Sequence, residues 1–298
     1  MELCWMNGKV APVDQVGIHP MDHGLLYGDG VFEGLRFRHG RLFRMEAGLA
    51  RLFRSARAIR LEPPLPLDGI AAALDELIRE YKKAAGQDSG YIRLVVTRGP
   101  GRLGLDPSTC PRPNLFIIAG ELSMANAAAR AAGARLIIAS VRKPGPDVID
   151  QRIKSLNYLH NIMARVEATA AGADEAVMLN QAGYVAEGTA ESVFIVSNGE
   201  LLTPPVEDGA LEGVTRGAVM EIASSLGIAA REQRMAPYDL FCADEMFLTG
   251  TGMGLLPVGQ ISGRKIKSCP GPVFSAIRER FEDLVERETG AVSLAAMA

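Results

Sequence analysis

Two stretches of helical periodicity, 46–59 and 67–85, stand side by side in a chain whose other apolar runs are mostly short and strand-like. That segregation most constrains the fold. In the first, Leu49, Leu52, Phe53 and Ala56 fall at i, i+3, i+4 and i+7, and in the second Ile70, Leu74, Leu77, Ile78 and Tyr81 share one face. Each stretch is therefore an amphipathic helix with one face to bury. Strand patterns surround them at 31–37, 91–97 and 114–119, and again at 135–141, 175–179, 184–186, 192–197 and 200–203. Asn7-Gly8 and Asn198-Gly199 sit where hairpins would turn. Further helices are expected from Leu159 (with Ile162, Met163 and Val166 at helical spacing), from Val214, and at 272–288, with more strands at 230–234, 245–248 and 258–261. Mixed short strands and helices in two halves, without an internal repeat, predict an α+β chain.

A length of 298 residues allows one large or two medium domains. The formal net charge of −3 provides no basic footprint for nucleic acid. Cys4, Cys110, Cys242 and Cys269 lack Cys-x-x-Cys spacing, which argues against a disulfide framework or zinc site and suits a reducing cytoplasm. The four histidines lie apart, so no histidine metal site is expected. The N-terminal residues lack a basic stretch followed by an apolar core, and no apolar run reaches the ~20 residues of a membrane helix, so neither a secretory signal nor a span is expected.

The chemistry concentrates at 151–163. Lys154 ends a loop that starts at Lys143-Pro-Gly-Pro and precedes the helical pattern at Leu159. Most lysines are solvated surface residues. Here Ile153, Leu156 and Tyr158 bring apolar bulk, which would disfavour the ammonium, as a lysine that forms an imine with a carbonyl requires. Gly213-Val-Thr215 at a helix start offers free backbone N–H groups and the positive end of the helix dipole. Tyr91 and Arg93 alternate with Ile92, so both point to one face of a strand.

Four blocks carry a resemblance. Tyr27-Gly-Asp-Gly-Val-Phe-Glu-Gly-Leu-Arg36, Lys154-Ser-Leu-Asn-Tyr-Leu159, Leu211-Glu-Gly-Val-Thr-Arg216 and Thr249-Gly-Thr251 occur in that order. From about residue 7 to about residue 281 the chain resembles the fold-type IV pyridoxal 5'-phosphate (PLP) enzymes: branched-chain aminotransferases, D-amino-acid aminotransferases and aminodeoxychorismate lyases. The resemblance implies a D-amino-acid-aminotransferase-like α+β fold with its active site at a domain interface. The small N-terminal domain would cover 1–122, a linker 123–133, and the larger cofactor-binding domain 134–298. By the same resemblance Lys154 binds the cofactor carbonyl, and Glu187 keeps the pyridine nitrogen protonated. Arg51, Val214, Thr215 and Thr251 hold the phosphate, with Arg54 and Arg57 as competitors for the Arg51 role. Tyr158 is a further cofactor contact.

Tyr27, Phe32, Gly34, Tyr91 and Arg93 would line the substrate side, and Gly34 would leave room there. Arg98 could bind a carboxylate in a D-specific site. Leu103 and Leu105 would lie in a loop that reaches a neighbouring subunit's pocket, in a homodimer or higher homo-oligomer. Gly252 and Met253 fall where the family commonly reads Gly-Thr-[Ala/Gly]-Ala-Glu, whereas this chain has Gly250-Thr-Gly-Met-Gly254. Glycines on both sides of Met253 are expected to loosen that turn. The implied reaction is transamination between a branched-chain L-amino acid and a 2-oxo acid such as 2-oxoglutarate. D-Amino-acid transamination and 4-amino-4-deoxychorismate lysis are the alternatives.

Overall fold

The computed structural model describes residues 1–121 and 127–290. Helices and strands segregate as the patterns require, and the chain divides into two units. The first gathers the N-terminal part of the chain with Lys154–Asn157 and the C-terminal end from Asp283. The second holds the segment ending at Ile153 together with Tyr158–Glu282.

In the first unit, β1 (Leu3–Met6), β2 (Lys9–Pro12), β3 (Gly30–Arg38), β4 (Arg41–Leu42), β5 (Gly90–Thr97) and β6 (Asn114–Gly120) form a six-stranded sheet in the order β2-β1-β6-β5-β3-β4. Neighbouring strands in it run antiparallel. Asn7 and Gly8 both adopt positive φ, 48° and 89°, which gives the expected hairpin turn. A one-turn helix, α1 (His23–Tyr27), precedes β3 and is capped by the Asp22 carboxylate. Helices α2 (Met45–Ala58) and α3 (Leu67–Ala85) bury Leu49, Leu52, Ala56, Ile70, Leu74 and Leu77, as their periodicity predicts. Phe53 is only half-buried, whereas Arg51 and Ser55 are buried. Gly48 brings α2 close to β3: a Cβ there would stand 2.6 Å from Leu35 Cδ2.

Residues 154–156 add to the free edge of β3. The Phe32 N–H donates to the Lys154 carbonyl and the Leu156 N–H to the Gly30 carbonyl, both at 3.0 Å, and Val31 and Ser155 form an antiparallel bridge. That pairing is why Lys154–Asn157 groups with the N-terminal strands although its neighbours in sequence belong to the second unit.

The second unit is built on β7 (Ala134–Arg142), β8 (Glu175–Leu179), β9 (Val185–Gly188), β10 (Ser192–Ser197), β11 (Glu200–Thr203), β12 (Ala230–Glu232), β13 (Glu245–Gly250), β14 (Gly254–Ile261) and β15 (Arg264–Lys265). Their order is β12-β11-β10-β13-β14-β7-β8-β9, with β15 on β14. The pairs β7·β8, β7·β14 and β11·β12 are parallel. The Asn198-Gly199 hairpin also has two positive φ angles, 51° and 81°. The expected linker ends in the short helix α4 (Ala127–Ala132), and its residues 123–126 lie outside the described residues.

Helix α5 (Leu159–Ala170) forms where the apolar spacing places it. It buries Asn161, Ala164 and Ala168, the alanines packing with Ala139, Ala176 and Met178 of β7 and β8. Leu159, Ile162, Met163 and Val166 face outward, from 70% exposed at Leu159 to 47% at Met163. The small residues let the helix axis approach the sheet, and the large apolar stripe is left on the other side.

Candidate active site

On β3, Phe32 and Gly34 point to one face, and Glu33 and Leu35 point to the face covered by α2. Across the β3–β5 ladder, Gly34 is opposite Arg93 and Arg36 is opposite Tyr91. The Arg93 guanidinium carbon lies 4.6 Å from the Phe32 ring centroid and 5.6 Å from that of Tyr91. Lys154 Nζ stands 4.5 Å from the same Phe32 ring. The Lys154 N–H donates to Ser55 Oγ at 3.1 Å, so β3 and α2 both fix its main chain. Lys154, Phe32, Gly34, Tyr91 and Arg93 therefore form one cluster. Gly34 does not leave open room as expected, because a Cβ there would collide with the Tyr91 hydroxyl. Burial raises the Tyr91 phenol above its ordinary value, opposed by Arg93, so Tyr91 is a neutral hydroxyl at working pH.

The other first-unit candidates are tied differently. The Tyr27 hydroxyl accepts the Gly104 N–H at 3.1 Å and so steadies the loop that exposes Leu103 and Leu105. Arg51 makes a buried two-pronged pair with Glu33, at 2.7 and 2.9 Å. Arg98 donates to both oxygens of Asp29, at 2.9 and 3.0 Å, and to the Ile59 and Arg60 carbonyls at the end of α2. It closes a helix terminus. Four of its N–H bonds are thereby engaged within the protein.

In the second unit, Glu187 is buried at the end of β9, opposite Met178 of β8. Its Oε1 accepts from Lys143 Nζ at 2.6 Å and its Oε2 from the Leu211 N–H at 2.9 Å. Lys143 is 1% exposed, and its ammonium also donates to Asn161 Oδ1 at 2.9 Å. Helix α6 (Val214–Ser225) starts at Gly213, which has extended φ and ψ and no side-chain cap, with Thr215 buried in the first turn. A Cβ at Gly213 would come 2.8 Å from Ser192 Oγ. Tyr158 is the N-terminal boundary residue of α5 and lies 6.5 Å, ring to ring, from His160.

Thr251, Gly252 and Met253 form the turn between β13 and β14, whose last pair is Gly250–Gly254. Gly254 has φ +73°, the left-handed value that closes such a three-residue hairpin. Met253 is 2% exposed and packs in the core with Val193, Leu248 and Leu256. The turn at 252–254, expected to be loose, is anchored by the buried Met253. The Met253 side chain is committed to the core.

Two ionisable groups set the local charge. Glu191 is buried beside Glu175, and its Oε1 has no hydrogen-bond partner; nor does the buried Thr249 Oγ1. Burial, then the Glu175 charge, pushes Glu191 up to about 8. A raised carboxyl stabilises the fold below its unfolded value and loses that contribution as pH rises through about 8. Glu191→Gln should therefore gain thermal stability over the parent at pH about 9 but little at pH about 5. Melting curves at both pH values test this, and an equal difference at each would exclude it. His160 shifts down to about 4, through burial and then through Lys143. Its contribution is present above its ordinary value and fades as pH falls toward about 4.

Sequence reasoning missed Lys143, Asn161 and the Leu211 N–H. Lys143 reads as the first residue of a Pro-Gly-Pro loop, and nothing in that pattern marks a buried ammonium.

The family model described as amino-transferase class IV matches residues 30–261. A relative from Methanocaldococcus jannaschii is 40% identical over 281 residues, covering 94% of this chain and 95% of its own. The crystal structure of Escherichia coli branched-chain amino acid aminotransferase is 31% identical, with a TM-score of 0.89 over 97% of this chain and 96% of that one. The branched-chain amino acid aminotransferase from Thermobaculum terrenum, solved in its PLP-bound holo form, is 28% identical, with a TM-score of 0.84 over 96% and 94%.

Proposed function

Because the chain belongs to the class IV aminotransferases, we propose that it moves an amino group between a branched-chain L-amino acid and a 2-oxo acid, with PLP as cofactor. The observation that carries this reading is Lys154, its main chain held between β3 and α2 and its amine set over Phe32. The residues present fit the cofactor. Helix α6 opens on an uncapped glycine, which leaves first-turn N–H groups for an anion. Glu187 keeps lone pairs beyond those taken by Lys143 and Leu211. PLP, when bound, supplies the carbonyl that takes the amino group and an electron-poor ring that accepts charge from the substrate Cα.

The chain's own groups do the rest. Lys154 holds the cofactor carbonyl and, once displaced by substrate, moves the proton at Cα. Glu187 holds the proton at the ring nitrogen. Val214, Thr215, Thr251 and Arg51 hold the phosphate, with Arg51 fixed in place by Glu33. Phe32 and Tyr91 offer an apolar wall to an aliphatic side chain, and the Thr251-Gly252 backbone takes the carboxylate. The Arg98 geometry weighs against the D-specific alternative.

Single-turnover mixing tests the substrate. L-Leucine, L-isoleucine or L-valine should convert the cofactor to its amino form faster than D-alanine or D-glutamate. Pocket methylenes separate substrates by only about 1–3 kcal/mol each, so several aliphatic donors should react. Faster conversion by the D-amino acids would overturn the substrate assignment.

The working form is a homodimer. The stripe of Leu159, Ile162, Met163 and Val166 is the kind of exposed apolar face that a second copy covers, and Leu103 and Leu105 are likewise exposed. Ile162→Asp with Val166→Asp should yield a poorly active monomer by gel filtration and light scattering, and an unchanged dimer would remove α5 from the interface. The setting proposed is a reducing cytoplasm, since all four cysteines are free. Among the described residues no helix is long and apolar enough to cross a membrane.

A further inference from the structure

We propose that Lys143 is a positioning residue that keeps the proton shared by Glu187 and the cofactor's ring nitrogen on the nitrogen. The inference rests on the Glu187 reading above and adds a second residue to it.

The geometry leaves the Lys143 ammonium little other purpose. Its main chain is fixed where β7 ends, through its N–H to the Leu179 carbonyl at 2.9 Å. The side chain packs against Gly209, where a Cβ would stand 3.5 Å from Lys143 Cβ and 3.6 Å from Ala186 Cβ. The ammonium ends on Glu187 Oε1 at 2.6 Å and Asn161 Oδ1 at 2.9 Å. A buried ammonium is costly, and an apolar side chain of similar volume often serves packing as well. A cation at this place instead acts on the charge of its partner.

Glu187 can share one proton with a ring nitrogen in two ways: as carboxylate and protonated nitrogen, or as carboxylic acid and neutral nitrogen. Lys143 lies on the carboxylate side of that pair. It is therefore attracted to the carboxylate more strongly than it is repelled by the protonated nitrogen beyond, and the first arrangement wins. The Leu211 N–H at Oε2 acts in the same direction. The other ionisable groups that interact with this site do not replace Lys143. His160 is neutral at working pH, and Glu191 is a carboxyl, not a cation. The proton only changes sides, so no co-reactant is needed.

The test uses holoenzyme reconstituted with PLP carrying 15N at the ring nitrogen, whose chemical shift reports protonation. Lys143→Met and Lys143→Gln should both move the shift toward the unprotonated value, and Lys143→Arg should restore it. The half-reaction with L-leucine should slow by about tenfold in the Met and Gln variants, less than the 10²-fold or more lost with a direct oxyanion donor, with little change in the substrate concentration needed. The Gln variant decides if the Met variant fails to fold, because its amide can hydrogen-bond Glu187 and Asn161 without carrying charge. Parent-like shift and rate in Lys143→Gln would reduce Lys143 to packing and overturn the proposal. Glu187→Ala separates the two readings. If it moves the shift and the Lys143 variants do not, only the Lys143 role fails. If it leaves the shift unmoved, the Glu187 reading fails too.

Discussion

A Lys154→Ala protein should fold and show no measurable amino transfer. The main chain at 154 is held by the Ser55 hydroxyl and the Phe32 N–H, and neither bond needs the lysine side chain. Alanine therefore keeps the strand pairing on β3 and deletes the amine. Proton transfer by a positioned side chain alone is worth about 10²–10⁴ in rate, and the covalent attachment of cofactor is lost in addition. Borohydride reduction of the parent holoenzyme, then digestion, should leave a phosphopyridoxyl group on the peptide containing Lys154 and none on that of the variant. Lys143 is the informative control, since it is a buried lysine with a carboxylate partner. Label on Lys143, or activity surviving at Lys154→Ala, would remove the central assignment.

The elements were legible in the sequence to the extent that local rules decide them. Both Asn-Gly hairpins form because two positive φ angles are what that dipeptide tolerates. Helices α2 and α3 bury the faces their period marks, since they cover a sheet that needs covering. The same period in α5 does not say which face is buried. A large apolar stripe suits a core and a partner surface equally, and only the small residues Ala164 and Ala168 show which side the sheet occupies. Residue identity fared likewise at the site. The blocks around Lys154 and Glu187 could be read directly, but their partners come from distant places in the chain. No pattern links Asn161 to position 143 or Leu211 to position 187. For Arg98, sequence does not reveal that Asp29 and the end of α2 engage four of its N–H bonds. At Met253 the flanking glycines suggested looseness, whereas Gly254 is there for its left-handed φ and Met253 for the core.

Glu187→Gln should cost both rate and stability, and the two losses should separate in a second variant. The carboxylate now accepts two donors, Lys143 Nζ on one oxygen and the Leu211 N–H on the other. An amide has one acceptor oxygen, so one of those donors must face an NH2 group. In either orientation the Lys143 ammonium, 1% exposed, loses its counter-charge, and where the NH2 faces it, it also loses its best hydrogen bond. Breaking a buried pair from one side costs about 3–5 kcal/mol, mostly from the stranded charge. Urea unfolding of the cofactor-free protein should show a loss of that order. Adding Lys143→Met removes the stranded charge, so Glu187→Gln/Lys143→Met should regain most of the stability. The pair is in contact, so its energies should not add. Transamination should not return, because no carboxylate remains to hold the proton at the ring nitrogen. A double variant as unstable as Glu187→Gln would mean that the amide is tolerated poorly for reasons other than Lys143. If the double variant recovered its rate along with its stability, position 187 would be a structural partner of Lys143 and nothing more.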